Sequence, residues 1–176
     1  MTMNVKFLNP FVNSAHEILS LEMHETVQRG DLCLENGLYL TDDVTVIISL
    51  IGAVDGTVFF SMSKESAMQM ASVLMGETFE SLNKLAQSGI AELGNVITGR
   101  ASMKLAEAGY EASISTPSLI IGKGATISTL EYPRLIVPLK TSMGSMTIHL
   151  ALREGLKISL KTPQLENPKN FEIPNL

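Results

Sequence analysis

Apolar positions fall first at helical spacing. Phe11, Ile18, Leu19 and Met23 share one stripe, Pro10 suits a first turn and Gly30 follows as a stop, so the pattern predicts a helix over 10–28. The pattern then changes to strand-like runs at 32–40, 44–51 and 57–62, separated by Thr41-Asp-Asp43 and Val54-Asp-Gly56. The run 44–51 is apolar at most positions and reads as a central strand. Ser63 can cap a second helix that carries Glu65 in its first turn, Met70, Ala71 and Leu74 inside, and Gly76 after its end. Further strands are predicted at 114–121, 126–132, 135–140 and 145–152. Gly122-Lys-Gly124 sits between two of them and reads as a hairpin turn.

The longest helical pattern covers 79–108 and stops at Gly109. Ala86, Ile90, Leu93, Ile97 and Ala101 form the face that would bury. Ser88, Glu92 and Asn95 stand at i, i+4 and i+7, so their side chains project together from the other side. Two glycines interrupt this helix, each costing ~1 kcal/mol of propensity. Gly94 flanks the inner face and lets the helix sit tightly on a sheet. Gly99 lies on the Glu92/Asn95 face and keeps that surface low. An acid and an amide without Cys, His or a second carboxylate make a poor self-contained active site. They suit insertion into the active site of another protein.

At 176 residues with 45% apolar content the chain is long enough for one globular domain. No run reaches transmembrane length, and the first residues lack the pattern of a secretory leader. One cysteine, Cys33, excludes an internal disulfide and fits a cytoplasmic location. The net charge of -5, without a basic run, disfavours nucleic acid and anionic membrane as partners.

Other chemistries find little support. His16, His24 and His149 have no metal-ligand spacing, even with Cys33, and no glycine-rich loop has Walker or dinucleotide form. Ser88 has no His one turn away and is a weak nucleophile candidate. Met62, Met68, Met70 and Met75 read as flexible core filler. Residues 159–176, with Pro163, Pro168 and Pro174, read as a C-terminal tail that follows a domain over 1–158.

A faint internal repeat joins the two halves. Gly56-Thr-Val-Phe-Phe-Ser and Gly144-Ser-Met-Thr-Ile-His are alike, and Asn13, Glu17 and Ser20 on the first helix repeat the spacing of Ser88, Glu92 and Asn95. The acid is kept, but the amide has become a hydroxyl.

The stretch Ser88-Gly-Ile-Ala-Glu-Leu-Gly-Asn95, with Pro117 some twenty residues on, resembles the signature of the CheC/CheX family of chemotaxis phosphatases. Asn9-Pro-Phe11, the segment from Gly52 to Ser63, and Gly76 look like CheX, and the resemblance covers roughly 4–155. It implies an α/β (α+β) fold: a CheC-like pseudo-twofold sandwich with long helices packed on a mostly antiparallel sheet. It implies one good acid/amide copy, as in CheX, and a homodimer joined through sheets. The strand at 126–132 is a candidate edge that would need covering or pairing. The substrate implied is a phosphorylated CheY-type response regulator. Asn95 would orient the attacking water, Glu92 would pair with the regulator's lysine, and Ser88 and Gly99 would touch the substrate protein. No cofactor of the chain's own is implied, and the Mg2+ would belong to the regulator. A non-catalytic, flagellar-switch-like adaptor of the same fold is the alternative. The intact Glu92/Asn95 pair favours the enzyme.

Overall fold

The computed structural model describes residues 5–24, 26–129 and 132–155; the expected tail over 159–176 lies outside them. After one 3-10 turn, Val5–Phe7, the elements run α1 (Leu8–Met23), β1 (Gln28–Arg29), β2 (Cys33–Glu35), β3 (Leu38–Leu40), β4 (Val44–Gly52), β5 (Val54–Met62), α2 (Lys64–Met75), α3 (Lys84–Glu107), β6 (Ala112–Ile114), β7 (Ser118–Ile121), β8 (Thr126–Ser128), β9 (Arg134–Thr141) and β10 (Gly144–Glu154). Every strand pair is antiparallel.

The halves are interlocked. The main sheet runs β1-β9-β10-β5-β4-β6, with β2 also on β9 and β7 also on β4. Each half thus folds one hairpin, β4–β5 or β9–β10. It then lends a broken outer strand, β1/β2 or β6/β7, to the hairpin of the other half. The two halves meet at β5–β10 in the main sheet and again at β3–β8 in a small second sheet. This arrangement is the structural counterpart of the faint repeat.

Alternation along β4 and β5 sorts the two faces. Val44, Val46, Ile48 and Leu50, with Val58, Phe60 and Met62, are buried in the core that also holds Phe11, Leu19, Met70, Ile90 and Ile97 of the helices. Burying a side chain of this size contributes about 1.5–3 kcal/mol. On the opposite side, Tyr39, Phe59 and Ala151 form a smaller cluster with Ile47, Ile127 and Tyr132 under the β3–β8 pair. His149 and Arg134 are buried beside it. The Tyr39 ring packs at a tilt of 48° against His149, with centroids 4.5 Å apart, and lies 5.3 Å from the Arg134 guanidinium carbon.

Several expectations are corrected. The first helix ends at Met23 rather than 28, because His24 takes a left-handed conformation (φ 53°) and closes it. The run expected at 32–40 is two short strands, broken at Asn36-Gly37, where Gly37 has φ 90°. The run at 114–121 is split ahead of Pro117; of the run at 126–132, strand is described over Thr126–Ser128, and residues 130 and 131 lie outside the described residues. Gly122-Lys-Gly124 is not a hairpin turn. The strands on either side of it pair with β4 and β3 in different sheets, so the segment crosses between sheets. Thr41 ties the crossing down: its hydroxyl donates to the Gly122 carbonyl and accepts from the Ala125 amide. Met75 is not core filler; it is 42% exposed, whereas Met62 and Met70 are buried as expected.

Candidate functional site

The site helix α3 starts later than the pattern predicts, at Lys84. Asn83 holds extended backbone and its side chain accepts from the Ala86 amide, a cap that sets the start. The helix closes at Ala108, followed by Gly109 at φ 84°. Its 24 residues span about 36 Å.

Ala86, Ile90, Leu93, Ile97 and Ala101 are all buried, joined by Gly89, Gly94, Thr98 and Leu105. Gly94 sits tightly against the sheet. A Cβ there would stand 3.0 Å from Val46 Cγ1 and 3.2 Å from Phe60 Cδ2, on the sheet itself. Gly89 plays the same part against α2, where a Cβ would meet Met75 Cγ at 3.2 Å. Gly99 is different: its nearest such neighbour is Ile114 Cδ1 at 3.9 Å, so packing does not demand a glycine.

On the outer face Glu92 is exposed and Asn95 half-buried. Asn95 Nδ2 donates to Glu92 Oε2 at 3.4 Å, a long hydrogen bond that a better partner would displace. The pair is thus adjacent, wet and loosely joined on a rigid support. Ser88 is exposed too, but its hydroxyl donates to the Lys84 carbonyl at 2.9 Å within its own helix. The structure brings Ser88, Glu92, Asn95 and Gly99 onto one side of α3.

The repeated positions on α1 are arranged otherwise. Asn13 is exposed, while Glu17 reaches Lys104 at 2.6 Å and Arg100 at 3.6 Å, both on α3. The Lys104 hydrogen bond is the main force holding the Glu17 carboxyl below its ordinary range, with burial opposing and the two cations adding to it. The Ser20 hydroxyl is buried and finds no hydrogen-bond partner among the described residues. This triplet presents no free acid/amide pair.

Sequence reasoning missed the apolar neighbours of Glu92. Leu85, Val96 and Met103 of α3 are 43%, 39% and 68% exposed. Their signal was available: large apolar residues at positions of the polar face. Among the described residues no three His, Cys, Asp or Glu side chains are grouped to hold a metal ion, and no helix is long and apolar enough to cross a membrane.

A family model described as chemotaxis phosphatase CheX matches residues 44–140, the segment that contains all of α3. The CheY-P phosphatase CheX of Thermotoga maritima is 26% identical over 157 residues, covering 87% of this chain and 99% of that protein. The crystal structure of a CheX from Desulfovibrio desulfuricans superposes with a TM-score of 0.75 at 25% identity, over 84% of this chain and 99% of that one. A CheX–CheY–BeF3–Mg2+ complex from Borrelia burgdorferi matches with a TM-score of 0.73 at 26% identity, over 86% and 100% of the two chains.

Proposed function

The chain belongs to the CheX family of chemotaxis phosphatases, and from that premise we propose that it hydrolyses the aspartyl phosphate of a phosphorylated CheY-type response regulator. Glu92 and Asn95 enter the regulator's active site together. The observation that carries this reading is their geometry: an acid and an amide one turn apart, loosely bonded, on the accessible side of a helix whose other side is fixed by Gly94 against the sheet.

Each group has a distinct task. An amide can accept from one group and donate to another at once, so Asn95 Oδ1 can hold a water in line without acting as a base. The water oxygen bonds to phosphorus as the bond to the aspartyl oxygen breaks, leaving inorganic phosphate and a free carboxylate. Reactions of this type depend chiefly on positioning and charge neutralisation. Glu92 exchanges its 3.4 Å bond with Asn95 for the regulator's active-site lysine, which fixes register more than affinity. That exchange also frees Asn95 Nδ2. Ser88 and Gly99 lie at the contact, and the Mg2+ of the reaction belongs to the regulator. The protein acts as a cytoplasmic homodimer in this reading.

The test is the decay rate of a phosphorylated CheY-type regulator with and without this protein and with its Asn95→Ala variant. Acceleration by the wild type and its loss in the folded variant support the reading. Equal decay in all three leaves the adaptor role.

A further inference from the structure

Glu92 does not stand on a polar surface. At about 100° per residue, Leu85 and Met103 point in the same direction around α3, and Val96 and Glu92 each lie within about 20° of them. These apolar side chains are 39% to 68% exposed and extend along about 27 Å of helix. Met75, at the end of α2, adds to the stripe beside Gly89 and is 42% exposed. Gly99 leaves a gap in the same line. Lone exposed apolar residues need no explanation, but three along one side of a helix, on either side of a carboxylate, with a fourth beside them, form a stripe with a charge near its middle.

We propose that Leu85, Val96 and Met103, with Met75, are the recognition contact of this phosphatase: an apolar seal that docks on the regulator around its phosphorylated pocket and excludes water from Glu92. The inference rests on the phosphatase reading of Glu92 and Asn95. Its occupant follows from charge. A partner on this stripe must bury Glu92 and therefore must bring a cation to it within an apolar surround, which the lysine-bearing pocket of the regulator supplies. A second copy packed symmetrically here would set Glu92 against its own duplicate, like charges in a drying contact. Of the nearby cations, Lys104 is bonded to Glu17 at 2.6 Å and Arg100 faces it at 3.6 Å. The seal also makes the central ion pair more selective, because a partner that brings no cation would leave Glu92 desolvated and unpaired.

These contacts form on binding and do not change at the transition state, so they should act on KM and not on kcat. The Val96→Gln and Met103→Gln variants keep helix propensity at exposed positions and should fold. With phosphorylated regulator as substrate, each should raise KM about fivefold or more while kcat stays within about twofold. Affinity for the regulator loaded with beryllofluoride and Mg2+ should fall by the same factor. Leu21→Gln, at an exposed apolar position on α1, should bind that probe like the wild type. Unchanged KM and probe affinity in both α3 variants would overturn the proposal. So would loss of self-association in those variants with probe affinity intact, which would assign the patch to a second copy. A wild type that binds the probe without speeding phosphate loss would sink the phosphatase reading alone, and the probe titration would still decide the patch.

Discussion

Glu17 of α1 holds Lys104 of α3 at 2.6 Å, so the repeated acid is already paired within the chain. If water-positioning catalysis resides on α3, as proposed, Glu17→Ala should leave phosphatase activity within about threefold. A hundredfold loss in a folded variant would place a second site on α1. The carboxyl is held below its ordinary range. Its contribution to stability is therefore present above the unfolded value and fades as pH falls through the folded one. The pair is partly exposed, so thermal melting of the variant should shift only slightly.

Asn95 and Glu92 should fail differently. Asn95→Ala removes the water's anchor and should lower turnover at least ~100-fold with binding retained. Asn95→Asp keeps the size but turns a negative charge toward a phosphoryl group, and should be at least as damaging. Glu92→Ala should weaken both binding and turnover. Single-turnover kinetics beside a binding titration separates the three.

The two helix glycines give opposite expectations. Gly94→Ala drives a methyl into Val46 and Phe60 and should destabilise the fold by about 1–3 kcal/mol in denaturant titration. Gly99→Ala meets almost nothing within the chain and gains up to about 1 kcal/mol of helix propensity. It should melt no lower than the wild type, yet lose affinity for the regulator because the methyl stands on the docking face.

His149 should govern acid stability. Its imidazole is pulled from 6.5 down to about 4, chiefly by burial and then by the Arg134 charge, with Asp42 opposing. The neutral ring is the folded form, so stability is full above pH 6.5 and falls as pH drops towards 4. At ~1.4 kcal/mol per unit, the loss between those limits approaches about 3 kcal/mol. Melting temperatures of His149→Gln should depend less on pH between 6.5 and 5, above the range where most carboxylates titrate. Parallel curves for the two proteins would contradict this.

The homodimer expectation is tested by mass. Sedimentation at micromolar concentration should give about twice 19.0 kDa. A monomer at that concentration would remove the dimer from the reading.

Helical period alone exposed the acid/amide face, because Ala86, Ile90, Leu93, Ile97 and Ala101 left only one side for Glu92 and Asn95. The strand at 44–51 was equally legible: it reads almost continuously apolar, with Val44, Val46, Ile48 and Leu50 facing the core. Long-range partners were not legible. Nothing around Gly122-Lys-Gly124 tells that its flanking strands join different sheets, for that depends on Thr41, some eighty positions earlier. The Glu17–Lys104 contact, 87 positions apart, was hidden for the same reason. Leu85, Val96 and Met103 escaped notice because an apolar residue on a polar face looks like noise until its neighbours are known.

The interlocked sheet also sets a schedule for folding. Its central seam joins Met62 to Met146 and Val54 to Glu154, separations of 84 and 100 positions. Closing such a loop is slow relative to forming helices or hairpins, and chains dominated by distant pairing fold in milliseconds to seconds. A chain emerging from the ribosome can complete α3 early, but β5 keeps an open edge until β10 arrives. During synthesis the edge of β5 is therefore an adhesive surface, and a truncation ending before residue 144 should be recovered as aggregate.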